Sequence, residues 1–407
     1  MLKMVDGTGI IGVDTVCPLG GAVSPPQPPN YDNVEMEGMG SLTLQNSLKA
    51  PLERLELIGN STQGENPAPD NPQEIKSAGR FDEASGKYLF DVKVTGKNLF
   101  DINNYVGSIK KISESEFHTE AKWGTLIGDI NLKTGGKYNI SYTFEIDSIT
   151  NSDCGVRIKC TKSDGTVSYI FDLPKMIGYV CNYTKSAIVP VDTVKCEILL
   201  YTDVKLKIGG AFKKLMIAEE SENVALNIYQ PYTEQTLTLT SDRPITKWDK
   251  LVEQGGSMGW LYSGKIAKEF TFVSKASDEN ISGRIRRRFK TSLNGKFPQT
   301  DKVMCNFLTT DNVRNDYSIG IVGSGDIYIY FYENTGVETL EQANHWLKNL
   351  PFEKTIIFER KTTEFVPLSE SEQTQLRNLH SYNGTTNITV DSGEVPCGIK
   401  LTYRKEK

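Results

Sequence analysis

Residues 365–388 read FVPLSESEQTQLRNLHSYNGTTNI, a compact run of secondary-structure signals. Pro367 closes an extended segment. Ser369 and Glu372 have the S-x-x-E spacing of a capping box, in which each side chain satisfies an amide of the other's backbone at a helix start. Leu376 and Leu379 share one face of the short helix that follows. Asn383-Gly384 then turns the chain, and TTNITV reads as a β-branched strand. The stretch carries no catalytic motif. It reads as a module that closes a β-domain, with His380 a side chain at the helix C-terminus rather than a ligand.

Working outward, 407 residues exceed one compact core, so two or three domains are expected. The 51 acidic and 46 basic residues leave a net charge of −5, which argues against a general nucleic-acid binder. No apolar run approaches a membrane span, and Asp6 and Asp14 interrupt the first apolar patch in a way unlike a signal peptide. The seven cysteines have no paired spacing, which points to reduced thiols and a cytoplasmic site of synthesis. Cys154 and Cys160 are the closest pair, and they fit no zinc template.

Along the chain, residues 1–34 are Gly- and Pro-rich. Pro25, Pro26, Pro28 and Pro29 suggest an extended arm that serves as a linker or an attachment segment. Residues 35–97 form a small β region, since SLTLQN, ERLELIG and KYLFDVKVTG alternate apolar and polar residues. Residues 98–235 form a sandwich-sized unit of many short strands, the pattern of a sandwich or jelly roll. Residues 236–269 read as a connecting hairpin in which Trp248 and Trp260 flank a Gly255-Gly256 turn. Residues 270–407 form a C-terminal β-domain, interrupted by a helix that Thr339 caps and Pro351 ends. The fold class is mostly β: tandem β-sandwich domains with a few short helices.

The chain lacks G-x-S-x-G, H-E-x-x-H and P-loop motifs, and no catalytic residue, metal ligand or cofactor site is assigned. Glu116, His118 and Glu120 would share one strand face, read as a solvated polar surface. RIRRRFK at 284–290 places Arg284, Arg286 and Arg288 on one strand face. That face is either an ion-paired sheet surface or a patch for anionic polymers, whose phosphates suit guanidinium forks. DIYIYFYE at 326–333 puts Tyr328, Tyr330 and Tyr332 opposite Ile327, Ile329 and Phe331. Apolar side chains on both faces imply burial between layers or subunits, with a sugar-stacking platform as the alternative. No carboxylate pair is singled out for glycoside hydrolysis, so a binding protein is favoured over an enzyme.

Four stretches carry a resemblance: LERLELIGNSTQGENPAPDNPQEI at 52–75, GKNLFD at 96–101, KKLMIAEESENVALNIYQPYTEQTLTL at 213–239, and residues 338–388 around the opening stretch. In this order they resemble minor structural proteins of the tail tip or baseplate in tailed phages and prophages of Gram-positive bacteria. The resemblance implies a virion component made in the host cytoplasm that scaffolds other tail proteins or binds cell-wall polysaccharide. It implies a homo-oligomer, with a trimer favoured. It also implies that 98–235 is similar to a carbohydrate-binding-module jelly roll. Glu219, Glu220 and Ser221 stand where such proteins commonly carry Glu-Gly. The alternative function is a cell-wall or capsule depolymerase.

Overall fold

The computed structural model describes residues 31–46, 49–52, 54–103, 109–119, 125–150, 153–174, 178–201, 210–220, 229–296, 302–310, 316–322 and 324–406. The prolines of the expected arm lie outside the described residues. The last four residues of its expected span, 31–34, already belong to the strand Tyr31–Met39. Val34 and Met36 pack against the core while Glu35 and Glu37 reach Lys400, so period-two alternation begins before residue 35.

The protein is mostly β, and three separate cores divide it. A central body has a seven-stranded sheet in the order Tyr31–Met39, Gly398–Glu406, Glu56–Ile58, Lys250–Gln254, Ser257–Ala267, Ile356–Pro367, Val303–Cys305. A second sheet runs Glu234–Ser241, Lys87–Thr95, Gly384–Asp391, Ser41–Asn46, with Arg80–Asp82 beside Lys87–Thr95. Leu42, Leu44, Phe90, Val92, Leu239, Trp260, Ile388 and Leu401 fill one core from both sheets. The Phe90 and Trp260 rings stand 4.9 Å apart at its centre. Removing one such side chain from water stabilises the fold by about 2–3 kcal/mol.

Two modules are inserted into this body. The chain leaves after Lys87–Thr95 and returns on the neighbouring strand, Glu234–Ser241. Between them stands a sandwich. One sheet is Gly178–Ile188, Lys137–Thr150, Gly210–Glu219, Glu116–Thr119, Ile109–Ser113; the other is Thr125–Asp129, Thr193–Tyr201, Gly155–Lys162, Val167–Ile170. Phe117, Ile140, Phe144, Ile158, Ile198 and Phe212 lie in its core. The chain leaves again along Ser257–Ala267 and returns along its partner Ile356–Pro367. The module between them has Phe272–Lys275, Arg284–Asn294, Asp326–Tyr332 and Tyr317–Val322 in sheet order, with Glu279–Ile281 on Arg284–Asn294. Helix α1, Leu340–Lys348, buries Ala343 and Leu347 against this sheet.

The linear division expected from the sequence therefore differs from the division by cores. Residues 236–269 are not a connection: Leu237, Leu239, Leu251 and Trp260 belong to the central core. Residues 270–407 are split between the inserted module and the central body, because Ile388, Ile399 and Leu401 pack with Leu42 and Leu57. Alternation reports which face a strand buries and carries no information on which distant strand lies beside it. The Gly255-Gly256 turn is as expected. It joins Gln254 to Ser257 with both glycines at positive φ, 60° and 82°, the requirement of a two-residue hairpin loop.

Helix α2, Glu370–Asn378, begins with the expected capping box between Ser369 and Glu372. The strand after it lies inside its sheet, between Lys87–Thr95 and Ser41–Asn46.

Candidate functional site

Arg284–Asn294 and Asp326–Tyr332 are antiparallel neighbours, with Arg286 opposite Tyr332 and Arg288 opposite Tyr330. The arginine and tyrosine faces read separately from the sequence are thus one face. Its far side carries Phe289, Ile329 and Phe331 into the module core. On the near side, Arg284 lies 4.6 Å over the Tyr332 ring and Arg286 4.4 Å over Tyr330. Carboxylates hold these guanidiniums in place. Glu279 receives Arg286 and Arg288, each at 2.6 Å, Asp316 pairs with Arg284 at 2.5 Å, and Asp326 pairs with Lys290 at 3.0 Å. Tyr330 and Tyr332 are 2% and 0% exposed, and Tyr328 is half-buried. The arginines thus roof two of the tyrosines and are themselves neutralised. Neither ring has a face open to a sugar.

Glu116 and His118 lie on Glu116–Thr119, where Lys213 approaches Glu116 to 3.9 Å. Glu120, Ser221 and Cys17 lie outside the described residues. The described residues contain no group of three metal-ligating side chains, and no described helix is long and apolar enough to cross a membrane.

The resembling blocks converge where the sandwich joins the central body. Asn98, 1% exposed, donates to Leu215 O and Gln230 O, both at 3.1 Å, and accepts from the amides of Phe100 (3.0 Å) and Ile217 (3.2 Å). Its full hydrogen-bonding capacity ties the outgoing chain to the returning one. Gly96 N donates to Thr233 O, and Asn387 donates to Gly96 O. A Cβ on Gly96 would lie 2.5 Å from Thr233 Oγ1, so a side chain here would push that hydroxyl aside. The Gln235 amide brackets the backbone of His380, donating to its carbonyl at 2.9 Å and accepting from its N–H at 3.0 Å. GKNLFD, YQPYTEQ and the α2 stretch are therefore parts of one joint.

Beside this joint lies a cleft of about 700 Å³, within the range of small-ligand sites. Leu99, Phe100, Ile130, Tyr138 and Tyr232 give it apolar walls, and Asp101, Lys133, Asn131, Glu219 and Asn387 add polar groups. Lys133 reaches Thr43 Oγ1 at 3.1 Å and Glu219 at 3.4 Å, and Thr43 donates to Glu219 at 3.0 Å. Lys93 sits 5.5 Å over the Tyr232 ring and pairs with Glu234 at 2.7 Å. Burial, followed by the adjacent Glu234, pushes the Tyr232 phenol well up, so it stays protonated and donates to that carboxylate. Mixed donors, acceptors and ring faces suit a polyhydroxylated ligand. No sequence motif marked this cleft, because its walls come from separate stretches of the chain spread between Met39 and Asp391.

A larger cleft of about 1630 Å³ separates the central body from the second inserted module. At its floor, Asp249, 1% exposed, accepts from Thr246 N, Thr246 Oγ1, Ser263 N and Gly264 N, each at 2.7 Å. The pairing of Ser257–Ala267 with Ile356–Pro367 shifts register here, between Tyr262 and Gly264. Arg360 spans the bulge and donates to Tyr262 O at 2.9 Å.

Among the described residues, every carboxyl with a resolved shift lies below its ordinary value: Asp82, Asp164, Glu197, Glu220, Glu234, Asp326, Glu359, Glu364 and Glu372.

No protein-family model matches the chain and no curated protein matches it. A solved structure of infectious bursal disease virus, Gx strain, aligns over 92% of this chain and 82% of that one, at 5% identity and a TM-score of 0.15, too low to indicate a shared fold.

Proposed function

We propose that this protein is a component of a phage tail tip or baseplate that binds cell-wall glycan at the host surface, acting by adhesion rather than catalysis. The observation that carries the reading is the cleft at the sandwich joint. It has ligand size, aromatic and aliphatic walls, and donors and acceptors already held by Thr43, Lys133, Glu219 and Asn387. The four stretches that resemble tail-tip proteins support it, since three of them meet at that joint. In this reading the central body is the platform, the inserted modules face outward, and the assembled form is a homo-oligomer, with a trimer favoured, among other tail proteins.

Fluorescently labelled full-length protein should bind intact host cells, and Tyr232→Ala should reduce that binding at least tenfold. Binding by the variant equal to wild type, or release of new reducing ends from purified wall polysaccharide, would overturn the reading.

A further inference from the structure

We propose that the outer face of the sandwich's four-stranded sheet binds a phosphate-bearing saccharide, with Arg157 taking the phosphate and Tyr169 the sugar ring. Gly155–Lys162 lies between Thr193–Tyr201 and Val167–Ile170. Val156, Ile158 and Cys160 face the core, so Arg157 and Lys159 face out. Lys159 stands opposite Glu197 on one neighbour and Tyr169 on the other. The Arg157 guanidinium lies 5.8 Å from the Tyr169 ring and 5.7 Å from the Tyr201 ring.

Charge pairing distinguishes Arg157. Arg80, Arg284, Arg286, Arg287, Arg288 and Arg360, the other strand arginines with described side chains, each have a carboxylate within ion-pair distance. Among the described residues Arg157 has no such carboxylate; its Nε is buried without a hydrogen-bond partner, as are those of Arg286, Arg288 and Arg360, so charge pairing alone sets it apart. The nearest carboxylate in register on this face, Glu197, is already held by Lys159 at 2.7 Å and Lys195 at 2.9 Å. Among the described residues this face therefore keeps a guanidinium with no carboxylate beside it, in a chain whose net charge is −5.

Ring contact on two sides limits the rotamers of Arg157, so little side-chain freedom remains to be lost on binding. A guanidinium fork matches phosphate oxygens. Tyr169 is 50% exposed and Val167, on the same face of the edge strand, is 45% exposed, which offers a rigid ring beside the cation. The cleft at the joint is a poor alternative for an anion, because Asp91, Asp101, Asp129, Glu219 and Asp391 line it. The run at 284–288 is likewise occupied by its own carboxylates. The proposal is independent of the virion reading.

The test uses the full chain with phosphorylated dextran, and unmodified dextran of the same length, by calorimetry at low and high salt. Wild type should bind the phosphorylated polymer at least tenfold tighter than the plain one and lose most of that margin at high salt. Arg157→Met, which keeps an apolar chain over the rings, should lose the margin, and Arg157→Lys should keep part of it. Tyr169→Ala, a change at an exposed position, should weaken binding of the phosphorylated polymer about fivefold, and it replaces the Arg157 variants as the deciding test if they do not fold. Equal affinity for the two dextrans, or a folded Arg157→Met that retains the margin, overturns the proposal. So does Tyr169→Ala with unchanged affinity. Tyr232→Ala should leave the margin intact, which separates failure of this site from failure of the cleft.

Discussion

Glu372 links a local capping device to the tertiary fold, and its removal gives a graded prediction. Its Oε2 accepts from Ser369 N at 3.0 Å and Ser369 Oγ at 2.6 Å, and its Oε1 accepts from Thr240 N at 2.8 Å and Thr240 Oγ1 at 3.0 Å. Glu234–Ser241 is an edge strand, so the outward amide of Thr240 needs a partner. Glu372 provides it, and the Trp260 indole donates to Thr240 O at 2.7 Å. Ser369→Ala removes only the cap, a cost of about 1 kcal/mol. Glu372→Ala loses the box and also leaves the half-buried Thr240 amide unpaired, which adds about 2 kcal/mol. The total is about 3 kcal/mol, against about 1 kcal/mol for the serine variant. Urea unfolding followed by indole emission reads the four tryptophans together, Trp260 among them. Hydrogen exchange of a peptide spanning 236–242 reads the Thr240 amide directly. Equal costs for the two variants, with Thr240 protection unchanged, would show that the tie between helix and strand contributes nothing.

The same carboxylate sets a pH dependence. Burial pulls its pKa upward, but the hydrogen bonds from Ser369 and Thr240 outweigh burial and hold it below 4.5. A depressed carboxyl contributes stability that is fully present above its unfolded value and is lost as pH falls through the folded one. Glu372→Gln does not titrate, so the stability gap between wild type and this variant should narrow on acidification below 4.5 and stay constant from there to neutrality. A gap that widened with acid would refute the assignment.

Three further outcomes are expected. Asn98→Ala leaves two amides and two carbonyls at the sandwich joint without their partner, a cost of about 3 kcal/mol; exchange protection in a peptide spanning 213–219 should fall, and unchanged protection would refute the clamp. Asp249→Asn keeps one acceptor oxygen of two, so two of its four donors are stranded; thermal unfolding should report a loss of about 2–4 kcal/mol. Burial raises the thiol of half-buried Cys181 and pushes that of buried Cys305 up to about 12; a thiol reagent at pH 8, read by peptide mass, should modify Cys181 well before Cys305 in the native protein.

Local chemistry was legible in the sequence wherever the relevant partners are close along the chain. Ser369 and Glu372 are three residues apart, and their capping box is present. Gly255-Gly256 makes its hairpin, and Thr339 caps α1, although its reciprocal partner Gln342 was not read from the pattern. In KYNISYTFEI, period two puts Tyr138, Ile140 and Tyr142 on one face, and all three are buried in the sandwich core. It also placed Tyr330 and Tyr332 on a buried face, yet it did not say what buries them. The roof comes from Arg284 and Arg286, some 46 residues earlier, where the same alternation left an ion-paired sheet surface and a patch for anionic polymers both open. Arg157 shows the converse. A single arginine in GVRIKC carries no pattern, and only the absence of a neighbouring carboxylate among the described residues distinguishes it.

The nesting changes how the parts of the protein can act on one another. In a tandem chain each domain hangs from one linker, and relative motion is the default. Here each inserted module leaves and returns on adjacent antiparallel strands, so rotating it means disturbing two paired strands together. Polar hubs sit at those crossings: buried Asn98 at the first and buried Asp249, with half-buried Arg360 beside it, at the second. Breaking either hub exposes hydrogen-bonding groups that water does not reach in the native fold, so a load applied to a module is passed to the central sheets before the joint yields. Single substitutions at Asn98 and Asp249 should therefore loosen module orientation before they unfold either module. In small-angle scattering they should increase the radius of gyration while far-ultraviolet dichroism stays unchanged; a concurrent loss of β signal would mean that the hubs hold the modules' folds rather than their placement.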